Sequence, residues 1–228
     1  MSRSNPSPTT PVRKYFAWAG ATGALQHYDR EAGKRITVKL PFRFMVLDEL
    51  TTIGGFSDAN NSGIWSNEVR SVKDPLIVRT SAGTLATGNY QTLKDQLKAQ
   101  GGKYARSVYI AYQEADGDGA EWVIGNIKLV GAALGSWFDF HKRANINEGG
   151  VSLTGSTEDK KGSNTFHVPT FEGVEVSAIE NETAIELDKE LQAYHKTYFD
   201  KKTDDSMVVE HTDDEDYDKP IDLSEIPF

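Results

Sequence analysis

Five stretches of the chain interleave aromatic and basic side chains. They are Arg13-Lys14-Tyr15-Phe16-Ala17-Trp18, Phe42-Arg43-Phe44, Trp65 to Arg70, Lys103-Tyr104-Ala105-Arg106-Ser107-Val108-Tyr109, and Trp137 to Arg143. Lysine and arginine can neutralise phosphates and release their counterions. Flat rings can stack on unpaired bases, worth ~1–3 kcal/mol per base. The residues whose type and position suit that chemistry are Trp18, Arg43, Trp65, Arg70, Lys103, Tyr104, Arg106 and Tyr112. Trp122 and Trp137 read as core, and Phe42 and Phe44 share a face with Val38 and Val46 and read as core too.

Other chemistries find little support. Gly33-Lys34 and Gly102-Lys103 lack the upstream glycine and the Ser/Thr of a phosphate-cradling loop. The Asp116–Gly119 run DGDG would need a glutamate at the twelfth loop position to hold calcium, and that position is Ile127. The run is expected to be a hairpin turn. The five histidines show no metal-ligand spacing, and with no cysteine the chain has no thiolate site, disulfide or thiol nucleophile. No cofactor is expected. Asp48-Glu49 is an adjacent acidic pair, but neighbours on a strand face opposite ways and make a poor bidentate site.

The net charge of −9 is unevenly spread. Residues 203–228 hold ten acids and one base, so that segment alone carries −9. Residues 1–143 hold 18 bases against 13 acids. A like-charged block at a terminus reads as a disordered interaction tail. Its last residues are Asp222-Leu223-Ser224-Glu225-Ile226-Pro227-Phe228. Acids followed by a short apolar plug and a terminal carboxylate suit capture by a pocket on another protein.

That ending resembles the acidic tip of bacterial single-stranded DNA-binding proteins, which finishes in Asp-Ile-Pro-Phe, with Glu225 here in place of the aspartate. The body resembles phage- and plasmid-encoded single-stranded DNA-binding proteins at Phe44–Ile53, Gly63–Val69 and Gly131–Phe138. The resemblance implies an OB-type fold, sequence-independent binding of single-stranded DNA, and recruitment of replication and recombination proteins by the tip. It implies a non-enzyme of the cytoplasm (the host's, if phage-encoded) and is compatible with a homo-oligomer. Two alternatives stand beside it. One is an adaptor or structural protein acting through the tail alone. The other is a metal-dependent nuclease using Asp48, Glu49 or Glu68.

These residues need elements to position them. Residues 1–12, with three prolines among Ser, Thr and Asn, are expected to be a disordered arm. Residues 13–202 are expected to form one mainly β domain, an OB-like β-barrel with additional helices, and 203–228 the tail. Strands are expected at Leu25–Arg30, Ile36–Leu50, Ile64–Arg70, Leu76–Thr80, Thr84–Gly88, Lys103–Ala115, Trp122–Val130 and Phe166–Ser177. Helices are expected at Tyr90–Gln100, just after Gly131, and at Glu182–Asp200. Residues 51–63 and 145–165 read as loops, the latter as a mobile hairpin or loop. No apolar run is long enough to cross a membrane or to serve as a secretory signal.

Overall fold

The computed structural model describes residues 9–114, 120–146 and 148–200. The expected tail, the DGDG turn and the first eight residues of the expected arm lie outside the described residues. In chain order the elements are β1 (Lys14–Ala19), β2 (Ala24–Asp29), β3 (Lys34–Thr37), β4 (Phe42–Ser57), β5 (Ser62–Ser66), β6 (Leu76–Thr80), β7 (Gly83–Gly88) and α1 (Tyr90–Ala99). They continue with β8 (Gly102–Gln113), β9 (Trp122–Val130), α2 (Gly131–His141), β10 (Gly150–Lys161), β11 (Asn164–Val174) and α3 (Ala178–Asp200). The fold is mainly β.

The strands form one sheet in the order β3-β2-β1-β9-β8-β4-β5-β6-β7, with β10 joined to β4 and β11 to β10. All pairings are antiparallel except β1 with β9. The sheet forks at β4. Phe42–Phe44 pair with β10, Gly54–Ser57 pair with β5, and β8 runs along the other edge. The expected barrel closure is not seen: among the described residues the sheet stays open. The nearest approach is a hydrogen bond from the His167 N–H to the Gly20 carbonyl, which ties β11 to the turn after β1.

Three apolar clusters hold the layers together. On the inner face Phe16, Phe44, Val108, Ile110, Tyr112, Ile127 and Leu129 pack against Trp137 and Phe140 of α2 and Phe171 of β11. Farther along the same face Ile53, Ile64, Val69 and Val78 pack against Leu93 and Leu97 of α1. On the outer face Leu50, Tyr109 and Ile124 take Leu191 of α3, with Val12 alongside. Helix α1 starts at a side-chain cap, Asn89 Oδ1 accepting from the Thr92 N–H at 3.0 Å. It stops at Gly101, whose φ of +86° suits only glycine.

One expected loop is strand instead. Thr51, Thr52 and Ile53 are fully or nearly fully buried, and Gly54-Gly55 remain in β4 because the chain passes close to its neighbour there. A Cβ on Gly55 would lie 2.2 Å from the Gly101 carbonyl oxygen, so glycine here marks close approach and not a loop. The loop shrinks to residues 58–61. The expected hairpin at 145–165 is formed by β10 turning into β11, and the far half of β10 is exposed and paired only with β11. The expected strand Ile36–Leu50 breaks between β3 and β4, where Pro41 has no N–H to give to a ladder. Of the expected apolar stripe on the last helix, Leu191 is buried while Ile185 is exposed, and His195 is wholly buried in its place.

Helix α3 is seated by polar contacts. Asp48 accepts from His195 Nδ1 at 3.1 Å, from Gln192 Nε2 at 3.0 Å and from Arg70 at 3.2 Å. Burial pushes this carboxyl up, but the hydrogen bonds from His195, Gln192 and the Glu49 N–H, with the Arg70 charge, outweigh it and hold it at about 2. Because the folded value is depressed, the ionised form stabilises the fold above the ordinary carboxylate value of ~3.9, by about 2 kcal/mol. That contribution fades as pH falls toward about 2. Denaturant unfolding from pH 5 to pH 2 should therefore lose about 2 kcal/mol more stability in the natural protein than in Asp48→Asn. Parallel curves for the two would show that the contact does not stabilise the ionised form.

Candidate nucleic-acid interface

Strand β8 carries Lys103, Tyr104 and Arg106, and alternation divides them. Tyr104 and Arg106 share the inner face with Val108 and Ile110, while Lys103 looks out on the other side. On the inner face Tyr104 lies 4.9 Å from Tyr90, ring to ring, and its hydroxyl is 3.2 Å from Thr51 Oγ1. Arg106 donates to Thr51 Oγ1 at 3.0 Å, and its guanidinium stands 5.8 Å over the Tyr104 ring. Both side chains are engaged in joining the two inner clusters.

The other expected contacts scatter for physical reasons. Tyr112 is only 3 % exposed and meets Phe16 edge to face, so it is core and no platform for a base. Trp18 donates its indole N–H to the His167 carbonyl at 2.9 Å and packs on the main cluster, fastening β11 to β1. Arg43 bonds the Glu175 carbonyl at 2.7 Å and Glu180 at 3.0 Å, at the start of α3. Arg70 is held by Asp48 and by Gln192 at 2.9 Å, with its guanidinium 5.0 Å over the Phe199 ring. Both arginines serve the seat of the helix.

Two of the expected residues do meet. Register places Lys103 opposite Gly54, Gly54 opposite Trp65, and Trp65 opposite Arg79, one row across β8, β4, β5 and β6 on the outer face. Gly54 supplies the room. A Cβ there would fall 2.9 Å from Lys128 Cε and 3.2 Å from its Nζ, so the Lys128 side chain reaches over from β9 and lies across the glycine. Trp65, Arg79, Lys103 and Lys128 are all partly exposed, and none belongs to an apolar cluster. The row therefore combines a flat ring with three cations.

Its electrostatics favour an anion. Among the described residues Lys128 and Arg79 form no salt bridge, and Arg79 Nε is buried without a hydrogen-bond partner. Burial lowers the Lys128 pKa, and the field of Glu68 raises it less. Glu68 itself accepts from the Tyr109 hydroxyl beneath α3. Arg79 and Lys128 were not among the residues expected from sequence. A lone lysine in the apolar run of β9 is a visible signal, but its position over Gly54 depends on register.

Metal chemistry has no comparable arrangement. Asp48 faces Tyr109 across the ladder and Glu49 faces Val108, on opposite sides of the sheet. Glu49 accepts from Trp137 Nε1 at 2.7 Å and lies 3.0 Å from His141 Nε2, which anchors α2. Among the described residues no three His, Asp or Glu side chains gather to hold an ion, and no helix is long and apolar enough to cross a membrane.

Stability separates the two kinds of aromatic. Tyr112→Ala should destabilise the protein by ~3–5 kcal/mol, as for other core aromatics. Trp65→Ala should shift stability by ~1 kcal/mol or less, since partly exposed positions away from cores seldom matter more. Urea unfolding followed by circular dichroism checks both values. Comparison of the chain with known protein families, with curated proteins and with solved structures gives no match.

Proposed function

We propose that the protein is a non-catalytic, sequence-independent single-stranded DNA-binding protein whose acidic tip recruits replication and recombination proteins. The observation that carries the first half is the in-register row Lys103–Gly54–Trp65–Arg79 with Lys128 laid across it. A strand of unpaired bases offers what such a row can use: π-faces for Trp65 and phosphates for the cations. Duplex bases are already stacked, so the ring gains nothing from them. The long pairing of β4 with β8 over a packed inner face supports an OB-type descent in which closure is incomplete. The second half rests on Asp222 to Phe228, which lie outside the described residues, and on their likeness to the bacterial tip.

Fluorescence titration with oligo-dT tests the binding half. Affinity should vary little with base composition, fall steeply with salt and be weak for duplex. Trp65→Ala should weaken binding by ~1–3 kcal/mol, and Lys128→Gln should lower the salt slope by about one unit. Burial favours the neutral amine of Lys128, so its charge is lost below the usual lysine range as pH rises. The salt slope of the natural protein should accordingly fall between pH 7 and pH 10, and that of Lys128→Gln should fall less. Equal affinity for duplex and single strand would sink the stacking model.

Removing Phe228 alone tests the tip. All ten acids of the segment remain, so DNA affinity should stay unchanged, while capture of replication and recombination proteins by the full-length chain should be lost. Equal capture with and without Phe228 would make the segment a solubilising tail.

A further inference from the structure

We infer that the DNA-binding surface continues past Lys128, over β9, β1 and β2, to Tyr28 and Arg35, so that a bound strand crosses the β-strands and meets a second aromatic platform. This rests on the reading of the Trp65 row given above. Four register steps carry it. Ser107 on β8 is opposite Lys128, Lys128 is opposite Ala17, Ala17 is opposite Gln26, and two residues on from Gln26 along β2 Tyr28 is opposite Arg35. Directly paired residues project from the same face of a sheet, and so do residues two apart on one strand. Tyr28 and Arg35 therefore share the outer face with Lys128 and Trp65.

The ground between the two rings suits a backbone. Ala17 and Gly54 keep it low, so a chain of nucleotides can lie close to Lys128. Tyr28 is half-buried and belongs to no apolar cluster, unlike Phe16 on the neighbouring strand. A depression bordered by Ala17, Ala19, Gln26, Tyr28 and Arg35 has a volume of only ≈ 30 Å³, room for about one water, so a base must lie against the ring and cannot sink into the sheet. Arg35, beyond Tyr28, can meet the next phosphate.

Dimensions give the length of strand required. Tyr28 and Trp65 lie five strand spacings apart across the sheet, about 24 Å at ~4.8 Å each, and six residues apart along it, from Lys103 to Ser107 and from Gln26 to Tyr28, about 20 Å at ~3.3 Å each, so the rings are about 31 Å apart. A strand stacked at ~3.4 Å per nucleotide would need about nine nucleotides to touch both rings, and an extended strand fewer.

The test uses the full-length protein and oligo-dT of about twelve residues, longer than the ~31 Å span requires, with a single 5-iodo-deoxyuridine at either the 5′ or the 3′ end. After irradiation, cross-linked peptides are mapped by mass spectrometry. The expected result is that one label marks the peptide holding Tyr28 and the other the peptide holding Trp65. Marking near Trp65 by both labels would overturn the extension while leaving the Trp65 row in place. Tight binding with both labels on the inner face would overturn both, and no binding of the oligonucleotide would remove the function itself. In solution Tyr28→Ala should weaken binding of the same oligonucleotide about five- to 150-fold, with Tyr28→Phe near the natural affinity. A Tyr28→Ala protein that melts normally and binds normally also refutes the extension.

Discussion

One strand has to satisfy both faces of the sheet at once, and an extra residue in it makes that feasible. Up to Val46, β4 sends Phe42, Phe44 and Val46 into the main inner cluster. The register then slips, Val46 pairing with Ile110 and Asp48 with Tyr109, so that Leu47 is the residue in excess. A bulge of this kind reverses which positions face inward. Without it Asp48 would project among Phe44, Trp137 and Val108, where an unpaired carboxylate costs several kcal/mol. With it Asp48 turns to α3 and Glu49 to α2. Adjacent acids thereby fasten two helices to opposite sides of one strand.

The same arrangement separates charge. The acids near the sheet are committed to the helices: Asp48 to His195, Gln192 and Arg70, Glu180 to Arg43, Glu49 to Trp137. Lys128 and Arg79 take no such partner among the described residues, and they stand on the part of the outer face that α3 does not reach with apolar contacts. A net charge near neutral for the body is then no obstacle to binding an anion, because the local field and not the sum decides attraction.

The amphipathic and turn-bounded elements were legible in the sequence because their signals are local. Tyr90–Ala99 has its cap, its Leu93 and Leu97 and its terminal glycine within a dozen residues, and Trp122–Val130 is a largely apolar run that follows the turn-forming residues DGDG in sequence. The extent of β4 was not legible, since Gly54 and Gly55 look like loop until a second backbone is placed against them. The interface was half legible. Residue types picked out Trp65 and Lys103, but Arg79 joins them only through pairing, and Lys128 only because Gly54, two strands away on β4, has no side chain in the space it reaches. Tyr104 shows the converse: a tyrosine between Lys103 and Arg106 in sequence, drawn into packing, like Tyr112, by the face on which alternation puts it.

The parallel pairing of β1 with β9 has a kinetic side. Lys14 lies against Gly125 and Phe16 against Ile127, while β2 and β3 attach to the sheet only through β1. During synthesis the first three strands emerge as a meander that has no strand to pair with in the rest of the sheet until β9 has left the ribosome. Pairing across such a sequence distance must meet the entropy of loop closure before any contact rewards it, which slows folding. The first three strands should thus be the last part of the sheet to become protected from hydrogen exchange, although they are made before the rest of it.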